Sequence, residues 1–218
     1  NQVRGEALAL RAFLHFDLYR LFCPDVKLSP RAEGIPYNKE FGVALPPMYT
    51  VEEFVQLVIN DLKEAETLLV GDPIVSTVPY TLGTKSDADK YVARMNLYSV
   101  KAMLARAYQA KGDNVKAVAY AKEVIESGKF RLLEFASVDQ TEALSDVLFS
   151  DEHIFSLRNK ELKDYSEKLH RDESKNGVTS FKPLPFGSYY NWYEGNNDDV
   201  RYSKWFNLGD FMKYYMDN

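Results

Sequence analysis

The chain has 218 residues, of which 45% are hydrophobic and 27% are charged, and its formal net charge is -5. This length and apolar content are sufficient to bury a core and are typical of one domain. The acidic balance excludes nucleic acid as a partner, because a phosphate backbone requires clustered Lys and Arg. No apolar run approaches the roughly 18 residues of a membrane span. The single cysteine, Cys23, excludes an internal disulfide.

A first helix is predicted from Gly5 to Phe22, because apolar residues recur there every three or four positions and Pro24 ends the run. Large apolar side chains lie on all of its faces, so we expect a central helix that packs on several sides. The expected main stripe is Ala7, Leu10, Leu14, Leu18 and Leu21, with Phe13, Phe16 and Tyr19 on the other faces.

A long loop is predicted over residues 23–49, which contain five prolines and no sustained period. Thr50 and Glu53 then form a capping box that begins a second helix, and Gly71 with Pro73 ends it. Residues 72–92 are again predicted as loop. The expected buried face of the second helix is Phe54, Leu57, Val58, Leu62, Ala65 and Leu69.

Residues 97–130 show the clearest local pattern, two helices separated by Gly112 and Asp113. Small side chains at the facing positions predict a tight hairpin, and its length is typical of a tetratricopeptide unit of about 34 residues. The expected stripes are Leu97, Val100, Leu104, Ala107 and Tyr108 on the first helix, and Ala117, Ala121, Val124 and Ile125 on the second.

After Phe130 the sequence becomes more irregular, with a short helix predicted over 138–148 and a strand-like segment over 153–157. We therefore expect one domain over 1–218, with a tetratricopeptide-like helical scaffold in 1–134 and a loop-rich, ligand-binding part in 135–218. The predicted fold class is mainly α. Binding groups concentrate on loops, which directs attention to the second part.

Catalytic and cofactor signatures are weak. Cys23 is better interpreted as a structural thiol than as a nucleophile, and no G-x-S-x-G elbow is present. The three histidines, His15, His153 and His170, lack metal-ligand spacing, and the lone glycine in 80–87 does not make a phosphate loop. We expect no metal and no cofactor. Asp198 and Asp199 are adjacent, whereas glycoside hydrolysis needs two carboxyl groups on opposite sides of a sugar.

Residues 186–197, FGSYYNWYEGNN, concentrate aromatic rings among amides and glycines without helical or strand period. Burying such rings stabilises a domain by roughly 1.5 to 3 kcal/mol each, so they are expected either to pack on the helical part or to face a ligand. Sugars suit such a surface, because they have apolar faces and polar edges. The predicted ligand-binding residues are Tyr189, Tyr190, Asn191, Trp192, Tyr193, Asn196 and Asn197.

Several segments, in order, resemble the SusD/RagB family of outer-membrane nutrient-binding lipoproteins. They are GEALALRAFLHFDLYRLF at 5–22, YTVEEFVQLVINDLKEAETLL at 49–69, the hairpin at 97–130, DEHIFSL at 151–157 and DDVRYSKWF at 198–206. The resemblance implies a tetratricopeptide-like scaffold whose loops bind a glycan or a peptide. It also implies a lipid-anchored protein on the cell outer membrane that delivers its ligand to a SusC-like TonB-dependent transporter.

In that family the chain continues beyond both ends of this one, so the sequence is expected to be a fragment. Asp198 and Arg201 belong to the shared motif and are assigned to structure, and Trp205 to the core. Two alternatives remain open from the residues: an intracellular tetratricopeptide scaffold that binds peptides, and a glycoside hydrolase that uses Asp198 and Asp199.

Overall fold

The computed structural model describes residues 1–77, 91–132 and 152–157, together with 159, 161, 164–165, 199, 206–207 and 210–211. The chain divides into two compact units. The first unit comprises Asn1–Arg131 and His153–Leu157, and the second comprises Leu132–Glu152 and Arg158–Asn218. The expectation of a single domain with a boundary near residue 134 stays a prediction.

The described residues of the first unit contain four helices: α1 (Gln2–Phe22), α2 (Val51–Leu68), α3 (Leu97–Lys111) and α4 (Asn114–Glu126). A single 3-10 turn, Pro73–Ser76, follows α2. Each helix packs against the next along the chain, and α1 also contacts α3. In the second unit, the two-residue strands β1 (Phe206–Asn207) and β2 (Asp210–Phe211) pair antiparallel, with Phe206 opposite Phe211.

Local signals begin and end the helices where the sequence predicts. The Thr50 hydroxyl accepts from the Glu53 backbone N–H while the Glu53 carboxylate accepts from the Thr50 N–H, so the capping box of α2 is confirmed. The Asp113 carboxylate caps α4 by accepting from the Lys116 backbone N–H. Gly112 closes α3 with φ 89°, a left-handed conformation that a side chain disfavours.

The packed face of α1 differs from the expected one. Its buried residues are Gly5, Ala9, Ala12, Phe16 and Tyr19, on the opposite side from the leucines. The small residues determine which face of α1 is packed, because the end of α2 approaches α1 so closely that a Cβ on Gly5 would lie 2.9 Å from Leu69 Cγ. The expectation that α1 packs on several sides is wrong for its leucine face, because Ala7, Leu10, Leu14, Leu18 and Leu21 are all exposed.

The other helices bury the predicted faces with one exception. Phe54, Val58, Leu62 and Ala65 of α2 are buried with Val100 and Leu104 of α3. On α4, Ala117 and Val124 are buried, but Ile125 is 73% exposed and was wrongly assigned to the stripe.

Residues 153–157 are not a strand, contrary to the expectation, although they do pack on the first unit. The Ile154 carbonyl accepts from Asn96 Nδ2 at 2.9 Å and from Ser99 Oγ at 3.1 Å, and the Ser156 N–H donates to the Val92 carbonyl. Phe155 meets Phe13 edge to face. Side chains at the start of α3 thus replace a neighbouring strand as hydrogen-bond partners. The helix predicted over 138–148 lies outside the described residues.

Candidate functional site

The predicted ligand-binding residues, Tyr189, Tyr190, Asn191, Trp192, Tyr193, Asn196 and Asn197, lie outside the described residues. Their role in ligand binding stays a prediction. Asp198 lies outside as well, so the geometry of the Asp198 and Asp199 pair is not described.

A groove of about 530 Å³ opens on the first unit between the C-terminal half of α1, the start of the following loop and the second half of α3. We call it the α1–α3 groove. Its size is within the range of small-molecule sites, roughly 300 to 1,000 Å³. Its lining residues are Phe16, Tyr19, Arg20, Cys23, Asp25, Lys27, Arg106, Gln109 and Ala110.

The floor of the groove is aromatic. Phe16 and Tyr19 are buried, with ring centroids 5.7 Å apart, and the Arg106 guanidinium lies over the Phe16 ring at 5.5 Å. The Tyr19 hydroxyl accepts from the Val26 N–H, which fixes the loop at the end of α1. Burial raises the pKa of Tyr19, so its hydroxyl stays protonated.

The rim of the groove carries three cations and one carboxylate. Arg20 pairs with Asp17 at 3.3 Å, and Lys27 Nζ lies 4.0 Å from Asp25 Oδ2. Arg106 contacts Met103 Sδ at 3.4 Å and, within the described part of the chain, forms no ion pair. Its guanidinium therefore retains hydrogen-bond donors for a ligand.

Cys23 lines the same groove and is half-buried. Burial raises the pKa of its thiol, which disfavours the nucleophilic thiolate. This agrees with its interpretation as a structural thiol.

A second polar cluster, centred on Asp61 of α2, anchors the long loop. Asp61 is 7% exposed and accepts from Arg11 Nε at 2.6 Å, from Arg11 Nη2 at 2.8 Å and from the Tyr37 hydroxyl at 2.6 Å. These hydrogen bonds to Asp61 raise the pKa of Arg11, and burial raises the pKa of Tyr37. The cluster therefore consists of a fixed ion pair with a neutral phenol.

His15 extends the cluster to the loop backbone. Its ring stacks on Tyr37 with centroids 4.2 Å apart, and Nε2 accepts from the Asn38 N–H at 3.1 Å. Nδ1 lies 2.8 Å from the Arg11 carbonyl, which it can reach only as a donor. His15 is thus a hydrogen-bonded histidine rather than a metal ligand. Among the described residues, no group of three or more His, Cys, Asp or Glu could hold a metal ion.

The sequence interpretation did not identify the α1–α3 groove. Its residues come from α1, a loop and α3, which are separated by about 80 positions, so no local motif connects Phe16 with Arg106. The sequence did contain one signal for the Asp61 cluster. Asp61 lies within the predicted buried face of α2, and a buried carboxylate requires a partner.

Comparison with known proteins identifies a similar family over the first part of the chain. Residues 1–97 match a SusD-like family described as "Starch-binding associating with outer membrane". The SusD-like protein P38 of Formosa agariphila is 39% identical over 66 residues, which are 30% of this chain and 12% of that protein. None of the helices in the described ranges is long and apolar enough to cross a membrane.

Two solved structures share the fold. A SusD superfamily protein of Bacteroides thetaiotaomicron has a TM-score of 0.63 at 21% identity, over 93% of this chain and 42% of that one. A candidate sugar-binding protein of Bacteroides vulgatus has a TM-score of 0.68 at 21% identity, over 97% of this chain and 45% of that one. The chain spans less than half the length of each of these relatives.

Residues 1–97 are similar to the SusD-like family, which supports the resemblance that the sequence segments indicate. The predicted fold class, mainly α with tetratricopeptide-like hairpins, is confirmed.

Proposed function

We propose that the protein is a non-catalytic, cell-surface nutrient-binding protein that captures oligosaccharides for import through a SusC-like TonB-dependent outer-membrane transporter. The family match carries the proposal, because residues 1–97 are similar to a family described as starch-binding and associated with the outer membrane. One solved structure with the same fold is described as a candidate sugar-binding protein, which supports the same class of ligand.

In this proposal the helical hairpins provide the frame, and the aromatic segment over 189–197 contacts the sugar. Tyr189, Tyr190, Trp192 and Tyr193 stack on sugar faces, while Asn191, Asn196 and Asn197 bond to hydroxyl groups. In this proposal a lipid anchor holds the protein on the outer membrane. Binding without bond cleavage needs no activated nucleophile, metal or cofactor.

Calorimetric titration with a panel of neutral oligosaccharides and peptides tests the proposal. We expect saturable binding of an oligosaccharide, lost in Trp192→Ala and Tyr190→Ala. Phe41→Ala is the matched control, since Phe41 is an exposed aromatic residue outside the proposed site. Chromatography of the bound sugar after long incubation is expected to show no shorter products.

Two outcomes would contradict the proposal. Binding of peptides in place of sugars would favour the tetratricopeptide scaffold. Sugar release that disappears in Asp198→Asn or Asp199→Asn would instead establish a hydrolase.

A further inference from the structure

The α1–α3 groove is distinguished by its charge. The chain as a whole has a net charge of -5, whereas the groove is lined by Arg20, Lys27 and Arg106. Arg20 pairs with Asp17 and Lys27 with Asp25, so Arg106 is the groove cation that has no ion pair within the described residues. A cationic concavity on an acidic protein attracts anions locally, even though the overall field repels them.

Helix ends account for part of this charge. The carbonyl end of a helix favours nearby cations within its last turn. Arg20 lies in the last turn of α1 and offsets the partial negative charge there. Arg106 lies five residues before Lys111, the last residue of α3, which is beyond the reach of this effect.

The Arg106 side chain is also positioned to bind an oxyanion. Its guanidinium lies over the buried Phe16 ring and its Nη1 contacts Met103 Sδ, so the side chain is restricted while most of its N–H donors stay free. Arginine binds carboxylate and sulfate groups through two parallel hydrogen bonds. Lys27 and the Gln109 amide line the same groove and supply further donors.

We propose that the α1–α3 groove is a binding site for an anionic sugar unit, whose carboxylate or sulfate pairs with Arg106 while its hydroxyl groups bond to Gln109 and Lys27. The inference rests on the proposed function, because it extends the ligand class from neutral to acidic glycans. A volume of about 530 Å³ suits a unit of this size.

Titration with glucuronate, glucose 6-sulfate, glucose and inorganic sulfate tests the inference and separates the two sources of the oxyanion. We expect at least one anionic sugar to bind the wild-type chain about tenfold or more tightly than glucose, as two charge-assisted hydrogen bonds would give. Arg106→Gln is expected to abolish this preference, and Arg106→Lys to retain part of it. Binding is expected to weaken with added salt.

Arg4→Gln is the matched control, because it removes the same charge from an exposed position that pairs with Glu64 outside the groove. Its affinity for the anionic sugar is expected to equal that of the wild type. Circular dichroism verifies that each variant is folded, which is expected because Arg106 is exposed.

Three results would overturn the inference: equal affinity for glucose and both anionic sugars, an unchanged preference in Arg106→Gln, or equally tight binding of inorganic sulfate. Neutral oligosaccharides that still bind and still depend on Trp192 would then leave the proposed function standing. Failure of every sugar, neutral or anionic, would contradict both.

Discussion

Removal of the Asp61 carboxylate should destabilise the chain more than loss of an ordinary ion pair. In Asp61→Ala, the half-buried Arg11 guanidinium loses both of its bonds to the carboxylate, and the buried Tyr37 hydroxyl loses its acceptor. Breaking a buried pair costs about 3 to 5 kcal/mol, and an unsatisfied buried hydroxyl about 1 to 3 kcal/mol. The Arg11 side chain is 25% exposed and regains some water, so we expect a total near 4 kcal/mol.

Urea unfolding followed by far-ultraviolet circular dichroism measures this loss. Asp61→Asn retains one acceptor oxygen and is expected to cost about half as much. Glu64→Ala is the control, since it breaks the exposed pair with Arg4 and should cost less than about 1 kcal/mol. If Asp61→Ala cost no more than Glu64→Ala, the cluster would not anchor the loop, and the reasoning from burial would be refuted.

Two further predictions concern α1 and α2. Phe16→Ala removes a buried ring and should lower the free energy of unfolding by about 3 to 5 kcal/mol. Leu18→Ala, on the exposed face of α1, should lower it by less than about 1 kcal/mol. Comparable losses in urea unfolding would show that the leucine face of α1 is packed as well. The hydrogen bond from the Thr50 backbone N–H lowers the pKa of Glu53. The ionised Glu53 carboxylate therefore stabilises the folded chain at pH values above the ordinary glutamate pKa of about 4.3, and this contribution is lost as pH falls through the lower folded-state pKa. Glu53→Ala should therefore be less stable than the wild type at pH 7, and the difference should shrink as pH falls below the ordinary glutamate pKa. A difference in the free energy of unfolding that does not change with pH would count against the capping box as its cause.

The helix boundaries could be predicted because they depend on neighbouring residues. The box of Thr50 and Glu53 and the left-handed Gly112 are local signals, and each one marks a helix end in the structure. Periodicity alone also identified the centre of the buried faces of α2 and α3, but it missed Val55 and Ile59 of α2 and Met103 of α3.

The packed face of α1 was not predictable from hydrophobicity, because both of its faces are apolar. The choice depends on the close approach of α2, which Gly5, Ala9 and Ala12 permit and larger residues would block. Residues 153–157 were wrongly predicted to be strand-like for a related reason. An apolar run indicates that a segment is buried, but it does not identify its hydrogen-bond partners. The Ile154 carbonyl is bonded by the side chains of Asn96 and Ser99, which are distant in sequence.

The candidate groove required the fold, since Phe16, Lys27 and Arg106 come together only when α1 packs near α3. The aromatic segment over 189–197, in contrast to the groove, was identified from the sequence alone. Its composition predicts rings that either pack on the helical part or face a ligand, and the second interpretation rests on the sequence and on the resemblance to the SusD-like family.

Tryptophan fluorescence tests the central claim, sugar capture by the aromatic segment, most directly. The chain contains two tryptophans, Trp192 and Trp205, so Trp205→Phe leaves Trp192 as the single reporter. We predict a saturable change in its emission as the preferred oligosaccharide is added, with the same midpoint as the calorimetric titration. Binding that leaves the emission of Trp192 unchanged would contradict the account, as would a response that persists in Trp192→Phe.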